Sequence, residues 1–438
     1  MKLPINSIAH INTLGHIEME GYDLLDIARK IDGPFYIYFA SVIEKQYKRL
    51  KALLPTNMDI CYAVKANPNR EILTLFKTLK SAFDISSGGE FSRCMDAGIS
   101  PQKISFSGPG KDYKELSEAI RNKLFAISVE SRREVDEIIH IADTTASTAN
   151  VMLRINPTRK PERFSLKMGG LPSQFGIDEE TALEIIRMIK KHDLLDLMGI
   201  HVFNGTQCLD ARAIVENISE MIEIAKRLFL HEGIELRYIN LGGGFGIPYY
   251  EGDRELNLEE VCNAVKDIII YTQETSHGLK NTRFILELGR FLVAQSGIYI
   301  AKVIDIKISR GKKFIILNGG MNHHLAASGN FGQVLRRNYC MYPLELRDKN
   351  RLEKVNIVGP LCTSIDRLAS DIQLPVLMIG DYIGIFNSGA YGLTASPILF
   401  LLHNLPAEVF VSDEELKIVR ATGGIQYETQ TIRYSAHQ

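Results

Sequence analysis

Cys61-Tyr62-Ala63-Val64-Lys65-Ala66-Asn67-Pro68-Asn69 is an apolar run that ends on one lysine and passes at once into small and turn-forming residues. Lysine is almost never fully buried without a partner, so a strand that delivers a lone ammonium to its end is unusual. In a low-dielectric site such an amine can lose its proton and become a nucleophile. The plainer reading is a strand whose last residue only reaches solvent. What surrounds the run separates the two.

Outward from Lys65, short apolar runs alternate with helical patterns from about residue 35 to 290. Strand candidates are Phe35–Phe39, Asp59–Lys65, Ala82–Ser86, Lys103–Phe106, Phe125–Val129, Val151–Ile155, Met198–Phe203, Leu236–Leu241 and Phe284–Glu287. Amphipathic stretches lie between most of them: Arg70–Lys80, Tyr113–Arg121, Arg133–Ala142, Glu179–His192 and Ala211–His231. Repeated strand–helix units imply a parallel sheet. The candidates number one more than the eight strands of a closed (β/α)8 barrel. After Arg290 strand-like runs follow one another with few helices: Gly297–Ile308, Lys313–Leu317, Val355–Val358, Tyr382–Asn387, Glu408–Val411 and Glu415–Val419. That texture predicts a separate, mainly antiparallel β domain.

A chain of 438 residues is too long for one ordinary core, which agrees with two domains. A hydrophobic content of 45% and a charged content of 24% are those of a globular enzyme. The net charge is −1 with no basic stripe, which argues against nucleic acid as a partner. No apolar run approaches the roughly 20 residues of a membrane span, and Met1-Lys2-Leu3-Pro4-Ile5-Asn6-Ser7 has no signal-peptide core. Cys61, Cys94, Cys208, Cys262, Cys340 and Cys362 form neither a CxxC nor a metal spacing. Thiols in a reducing cytoplasm, with no metal site, are therefore expected.

Tyr62-Ala63-Val64-Lys65-Ala66-Asn67 resembles the cofactor-lysine motif of the pyridoxal-phosphate decarboxylases of the alanine-racemase fold, which include ornithine, arginine and diaminopimelate decarboxylases. The resemblance runs from about Ile17 to about Arg420. It implies that Lys65 carries pyridoxal 5'-phosphate covalently. It makes the Lys65 strand the first of the barrel and Phe35–Phe39 a lead-in. The expected division is an N-terminal segment, 1–33, packing with the β domain; a cofactor-binding barrel, 34–290; and a C-terminal β domain, 291–438.

In Asn240-Leu241-Gly242-Gly243-Gly244-Phe245-Gly246, consecutive glycines let backbone N–H groups approach a phosphate. Most such clusters are only tight turns, but this one follows the seventh barrel strand, where barrels bind phosphate. By resemblance Gly242, Gly243 and Gly244 are the phosphate glycines. Glu287-Leu288-Gly289-Arg290 resembles the family's Glu-Pro-Gly-Arg, with Leu288 in place of proline. That assigns Glu287 to the pyridine nitrogen, where a carboxylate keeps the ring protonated and a stronger electron sink. Arg290 and Gly289 fall to the phosphate side. The plainer reading, a surface Glu–Arg pair worth little, conflicts with an apolar strand ending there. His201, in His201-Val202-Phe203-Asn204-Gly205-Thr206-Gln207, is assigned to stack on the cofactor ring, and Thr206 is the hydroxyl nearest the family's phosphate serine. Asp84 resembles an acidic position near the ring; a cap of the following helix is the equal alternative.

Two motifs lie beyond the barrel. Gly359-Pro360-Leu361-Cys362-Thr363-Ser364-Ile365-Asp366 resembles Gly-Pro-x-Cys-[Asp/Glu]-x-x-Asp. In the family this cysteine comes from the partner subunit and returns a proton after carbon dioxide departs. The resemblance thus implies a homodimer with shared active sites, with Thr363 and Asp366 on the substrate side. A buried structural cysteine is the plainer reading of Cys362. Asn387-Ser388-Gly389-Ala390-Tyr391-Gly392 resembles a Gly-Ala-Tyr whose tyrosine bonds the phosphate, which is Tyr391 here.

Thr363 departs from the pattern. Ornithine and diaminopimelate decarboxylases carry a carboxylate there for the substrate's distal amine. Threonine would forgo a charge-assisted hydrogen bond of about 1.5–3 kcal/mol. A distal end that is neutral, acylated or tethered is therefore expected. The runs Lys167–Gly176, Gly359–Thr363 and Asn387–Leu393 resemble the natural-product branch, including the butirosin-pathway enzyme that acts on carrier-protein-bound glutamate. An acyl carrier protein thus becomes a candidate partner. The alternatives are a decarboxylase of free diamino acids, a racemase on the same fold, and a non-catalytic binding homologue. A racemase needs two bases flanking Cα, which the Cys362 segment disfavours; a binding homologue would have shed the retained cofactor residues.

Overall fold

The computed structural model describes residues 8–159, 164, 166–167, 169–230, 232–331, 333, 336–348, 350–412 and 415–424. Residues 1–7, Met168, His231 and 425–438, on which parts of the sequence reading fall, lie outside the described residues.

Eight parallel strands close into a barrel: β1 Met58–Ala63, β2 Ala82–Ile85, β3 Ile104–Phe106, β4 Ala126–Val129, β5 Ala149–Asn156, β6 Leu195–Val202, β7 Tyr238–Asn240 and β8 Arg283–Leu288. They pair in chain order; β8 pairs with β1 at one end of the series, and β4 with β5 in its middle. Ile177–Asp178 adds a short strand on β5. The strands are buried on both faces, which is why they read as unbroken apolar runs. Local chemistry sets the helix starts: Asp112 and Glu115 form a capping box for Tyr113–Arg121, and Ser131 caps Arg132–Thr145. Tyr62 of β1 stacks on Phe76 of helix Arg70–Thr78 at 4.0 Å between ring centres. Burying a ring of that size contributes about 1.5–3 kcal/mol.

Lateral register sets the site. His201 lies opposite both Arg154 and Asn240, Glu287 opposite Cys61, and Asp84 opposite Ala63. His201, Asn240, Glu287 and Asp84 are at or next to the carboxyl ends of their strands, the face where barrel enzymes place their chemistry. β1 stops one residue before the turn Val64–Ala66, so Lys65 rides on a 3₁₀ turn and not on the strand itself.

Contact clustering divides the chain into two units. Among the described residues, one comprises those of Phe39–Ile298 with Phe386–Tyr391; the other comprises those up to Tyr38, those of Tyr299–Ile385 and those from Gly392 to Gly424. The second sheet runs in the order Arg367–Pro375, Leu352–Val358, Lys312–Leu317, Gly297–Ser309, Phe35–Phe39, Ala407–Ser412, Glu415–Arg420. Most pairings given for it are antiparallel, but Lys312–Leu317 and Leu352–Val358 are parallel. Phe35–Phe39 is a strand of this sheet, not a lead-in to the barrel. Its five residues are all buried, so an apolar run alone did not reveal which sheet it joins. The segment before it hydrogen-bonds to the same unit, Ile17 N–H to Leu344 and Leu346 N–H to Gly15. No disulfide joins the six cysteines. Among the described residues no helix is long and apolar enough to cross a membrane.

Candidate active site

Three strand ends converge on Lys65. Its Nζ lies 3.5 Å from Glu287 Oε1 and 3.7 Å from Asp84 Oδ2. The lysine side chain is 39% exposed while the two acids are 1% and 2% exposed, so the amine is open to solvent and the two carboxyls are not. Ser105 and Ser107 hydroxyls donate to the two oxygens of Asp84, at 3.1 and 2.9 Å. Ser87, not Asp84, caps the helix Gly88–Asp96, which removes the capping alternative. Glu287 Oε2 faces Asn240 Nδ2 and His201 Nε2, both at 3.3 Å. His201 Nδ1 lies 3.1 Å from Ser128 Oγ.

These distances assign charge. Burial opposes ionisation of Glu287, but Lys65, His201 and Arg154 outweigh it and hold the carboxyl well below the usual range. Burial, followed by the nearby Glu287 charge, pushes the Asp84 carboxyl well up. Of two close acids, Glu287 thus carries the charge and Asp84 the proton. Burial lowers the pKa of His201 and keeps it neutral. Burial would also lower that of Lys65, but Glu287 and then Asp84 push it above the ordinary lysine range. The expectation of an amine neutralised by desolvation is therefore reversed: the lysine is held as an ammonium, chiefly by the ionised Glu287.

The neighbouring loop after β7 is built on glycine. A Cβ on Gly243 would collide with the Glu287 carbonyl, and one on Gly242 would come within 2.6 Å of the Val202 carbonyl. Both the Gly243 and the Gly244 peptides are buried, and no backbone carbonyl among the described residues takes their N–H groups. Gly289 meets Ala66 so closely that a Cβ would stand 2.8 Å from the alanine methyl, which brings Arg290 up to the lysine turn. The Arg290 guanidinium is sandwiched: its carbon lies 4.7 Å from the Tyr391 ring centre and 5.4 Å from that of Tyr249, whose hydroxyl accepts from Nη1 at 3.0 Å. Tyr391 N–H donates to the Ala66 carbonyl at 2.8 Å, and Asn67 Nδ2 to that of Gly389 at 2.9 Å. A segment more than 300 residues away is thereby pinned to the lysine turn. Asn387 and Tyr391 both take left-handed backbone angles, φ 56° and 53°, which asparagine tolerates but a bulky tyrosine rarely adopts. Strain of that kind collects at functional sites. Thr206 pairs through its backbone with Leu166.

Cys362, Thr363 and Asp366 lie in the other unit. Cys362 is exposed, which removes the buried-structural reading. Asp366 is 3% exposed, and its oxygens accept from the N–H groups of Met321 and Leu361 at 2.7 and 2.9 Å. A carboxylate so engaged does not face a substrate, unlike the substrate-side placement taken from the motif.

The profile of the family described as pyridoxal-dependent decarboxylase, pyridoxal binding domain, matches residues 40–294. The chain belongs to that decarboxylase family. This decarboxylase is 35% identical to the L-glutamyl-[BtrI acyl-carrier protein] decarboxylase of Niallia circulans over 93% of this chain and 95% of that one. It is 30% identical to the diaminopimelate decarboxylase of Aquifex aeolicus, over 94% of both. The crystal structure of diaminopimelate decarboxylase from M. jannaschii superposes with a TM-score of 0.86 at 28% identity, covering 95% of each chain. The protein is thus a carboxy-lyase with pyridoxal phosphate as cofactor, on a TIM barrel with a C-terminal β domain. The residues fit that group. The two unclaimed glycine N–H donors, Arg290 and Tyr391 suit a phosphate dianion; the ionised Glu287 suits a pyridinium; Lys65 offers the amine. When bound, pyridoxal phosphate supplies the sink for the electron pair left at Cα.

Sequence reading missed Arg154, Ser105, Ser107, Ser128 and Tyr249. Arg154 is buried in β5, donates to Glu130 Oε1 at 2.7 Å and stacks on Phe175. A lone arginine within Val151–Ile155 was the available signal. The serines carry none, since their partners come from other strands.

Proposed function

We propose that this decarboxylase removes the α-carboxylate of an amino acid whose distal end carries no free ammonium, with a glutamyl group tethered to a carrier protein as the substrate class. The observation behind this reading is Thr363, which offers a hydroxyl where a free distal ammonium would need an anion. The 35% identity to an enzyme named for a carrier-bound glutamyl substrate supports it. The second reading, decarboxylation of free diaminopimelate, is favoured by the relatives that bear that name.

In this proposal Lys65 holds and releases the cofactor, and Glu287 keeps a proton on its ring nitrogen. His201 would stack on the ring when the cofactor is bound. Gly243, Gly244, Arg290 and Tyr391 hold the phosphate, with Gly242, Gly289 and Thr206 shaping its surroundings. The barrel unit, Phe39–Ile298 with Phe386–Tyr391, carries the cofactor chemistry, and the unit with the second sheet brings Cys362. The enzyme works as a homodimer in which Cys362 comes from the partner subunit. As the bond from Cα to the carboxylate breaks and carbon dioxide leaves, the Cys362 thiol gives its proton to Cα, and solvent returns one to the thiolate.

The test is a carbon dioxide release assay over free diamino acids, their distally acylated forms, glutamate and carrier-linked glutamyl thioester. The tethered or masked substrates should be turned over most efficiently. Efficient turnover of a free diamino acid, with no gain from masking, would overturn the reading. Substrate epimerisation without carbon dioxide would instead indicate a racemase.

A further inference from the structure

We propose that Asp366 is the positioning residue that shapes the Cys362–Thr363 loop before substrate arrives. Every polar group of Asp366 is spent on that loop or its support. Oδ1 accepts from Met321 N–H at 2.7 Å and Oδ2 from Leu361 N–H at 2.9 Å. Its own N–H donates to the Thr363 carbonyl, and its carbonyl accepts from Gly359 N–H, both at 3.3 Å. Within that ring Thr363 N–H bonds the Leu361 carbonyl at 2.8 Å. Cys362, which is exposed, therefore stands on a loop that the buried Asp366 carboxylate holds at Leu361 and the Asp366 backbone holds at Gly359 and Thr363.

The surroundings are shaped for this carboxylate. A Cβ on Gly320 or Gly359 would collide with its oxygens. Two glycines on neighbouring segments thus make room for Asp366, and Met321 N–H supplies the support beneath it. On the outer side Asn330 Nδ2 donates to the Ile365 carbonyl at 3.3 Å. A buried acceptor of two backbone N–H groups fixes a loop because releasing either leaves a buried donor unpaired. Asparagine keeps the shape but turns one acceptor into a donor, so one of those N–H groups would face another N–H.

The inference rests on the catalytic reading of Cys362, and the experiment separates the two. Holoenzymes carrying Asp366→Asn, Cys362→Ala and both are compared for kcat of carbon dioxide release. The rate of iodoacetamide alkylation at Cys362 is read by peptide mass mapping. Asp366→Asn should lower kcat by about tenfold or more alone and by less than about twofold on the Cys362→Ala background, because a residue acting through another is non-additive with it. It should also change the Cys362 alkylation rate by at least about threefold, since thiol reactivity follows its surroundings. An equal loss on both backgrounds overturns the proposal and marks a merely structural role. If Cys362→Ala keeps full activity, the catalytic reading of Cys362 fails, and the alkylation rate alone decides: an unchanged rate in Asp366→Asn overturns the positioning role.

Discussion

The amine of Lys65 and Oε1 of Glu287 stand 3.5 Å apart across 222 residues of chain, because β1 and β8 are neighbours in the barrel. This one contact ties the residue proposed to hold the cofactor to the residue proposed to tune it. Glu287 reaches His201 and Asn240 with its other oxygen, so its ionised state is fixed from both sides.

Glu287→Gln removes the largest charge partner of Lys65 and the anion meant for the ring nitrogen. The activity should fall by about 10²–10³, the scale for losing one preorganised charge-stabilising group. Borohydride reduction followed by peptide mapping should still place the cofactor on Lys65. Full activity in Glu287→Gln, or labelling of another lysine, would sink the assignment.

Arg290 is gripped by the hydroxyl and the ring of Tyr249, and the two can be separated. Tyr249→Phe keeps the ring and should weaken cofactor binding about tenfold, the scale of one hydrogen bond to a charged group. Tyr249→Leu should weaken it further. Fluorescence titration of the apoprotein with pyridoxal phosphate reads both. Equal affinities in all three proteins would show that Tyr249 does not position Arg290.

Lys65, the glycines and Glu287 were legible because each interrupts or ends an apolar strand, where a charge or a glycine cluster has few structural uses. Arg154 was equally inconsistent with its run but lay inside it, and an inward-facing position cannot be told from an outward one by an apolar run alone. The role of Asp84 could not be read because its partners, Ser105 and Ser107, come from the next strand and the loop after it. Asp366 could not be read either, since the same carboxylate serves a substrate or a backbone loop. The strand Arg367–Pro375 escaped notice because Ser370, Asp371 and Gln373 break its apolar pattern.

Two buried histidines make the second unit acid-sensitive. Burial lowers the pKa of His323 to about 4 and that of His324 to about 3. Unfolded, each titrates near 6.5, so below that pH the unfolded chain takes up protons that the folded one refuses. Stability is therefore fully present above pH 6.5 and falls as the pH drops toward 4 and then 3. The loss is about 1.4 kcal/mol per pH unit for each histidine. Denaturation of wild type and His324→Gln at pH 7 and pH 5 should show a shallower pH dependence in the variant. Identical slopes would contradict it.

Shared active sites predict complementation. Lys65→Ala and Cys362→Ala homodimers should each be nearly inactive. Hybrids formed by subunit exchange should regain part of the activity, since one of the two sites would then hold both groups. Demonstrated exchange with no return of activity would rule out a cysteine supplied in trans.

The last expectation concerns Thr363. A carboxylate at this position would offer a distal ammonium a charge-assisted hydrogen bond worth about 1.5–3 kcal/mol. If that contact persists in the transition state, it corresponds to roughly ten- to a hundredfold in kcat/KM. Thr363→Asp or Thr363→Glu should therefore raise kcat/KM for free ornithine, lysine or diaminopimelate by up to that factor. Substrates with a masked distal end should gain nothing. Thr363 N–H already bonds the Leu361 carbonyl at 2.8 Å and its carbonyl accepts from Asp366 N–H, so the loop can keep its backbone when the side chain changes. Carbon dioxide release by wild type and both variants, over free and masked substrates, measures the shift. If the new carboxylates favour neither class, Thr363 does not face the substrate's distal end, and the preference must be set elsewhere in the site.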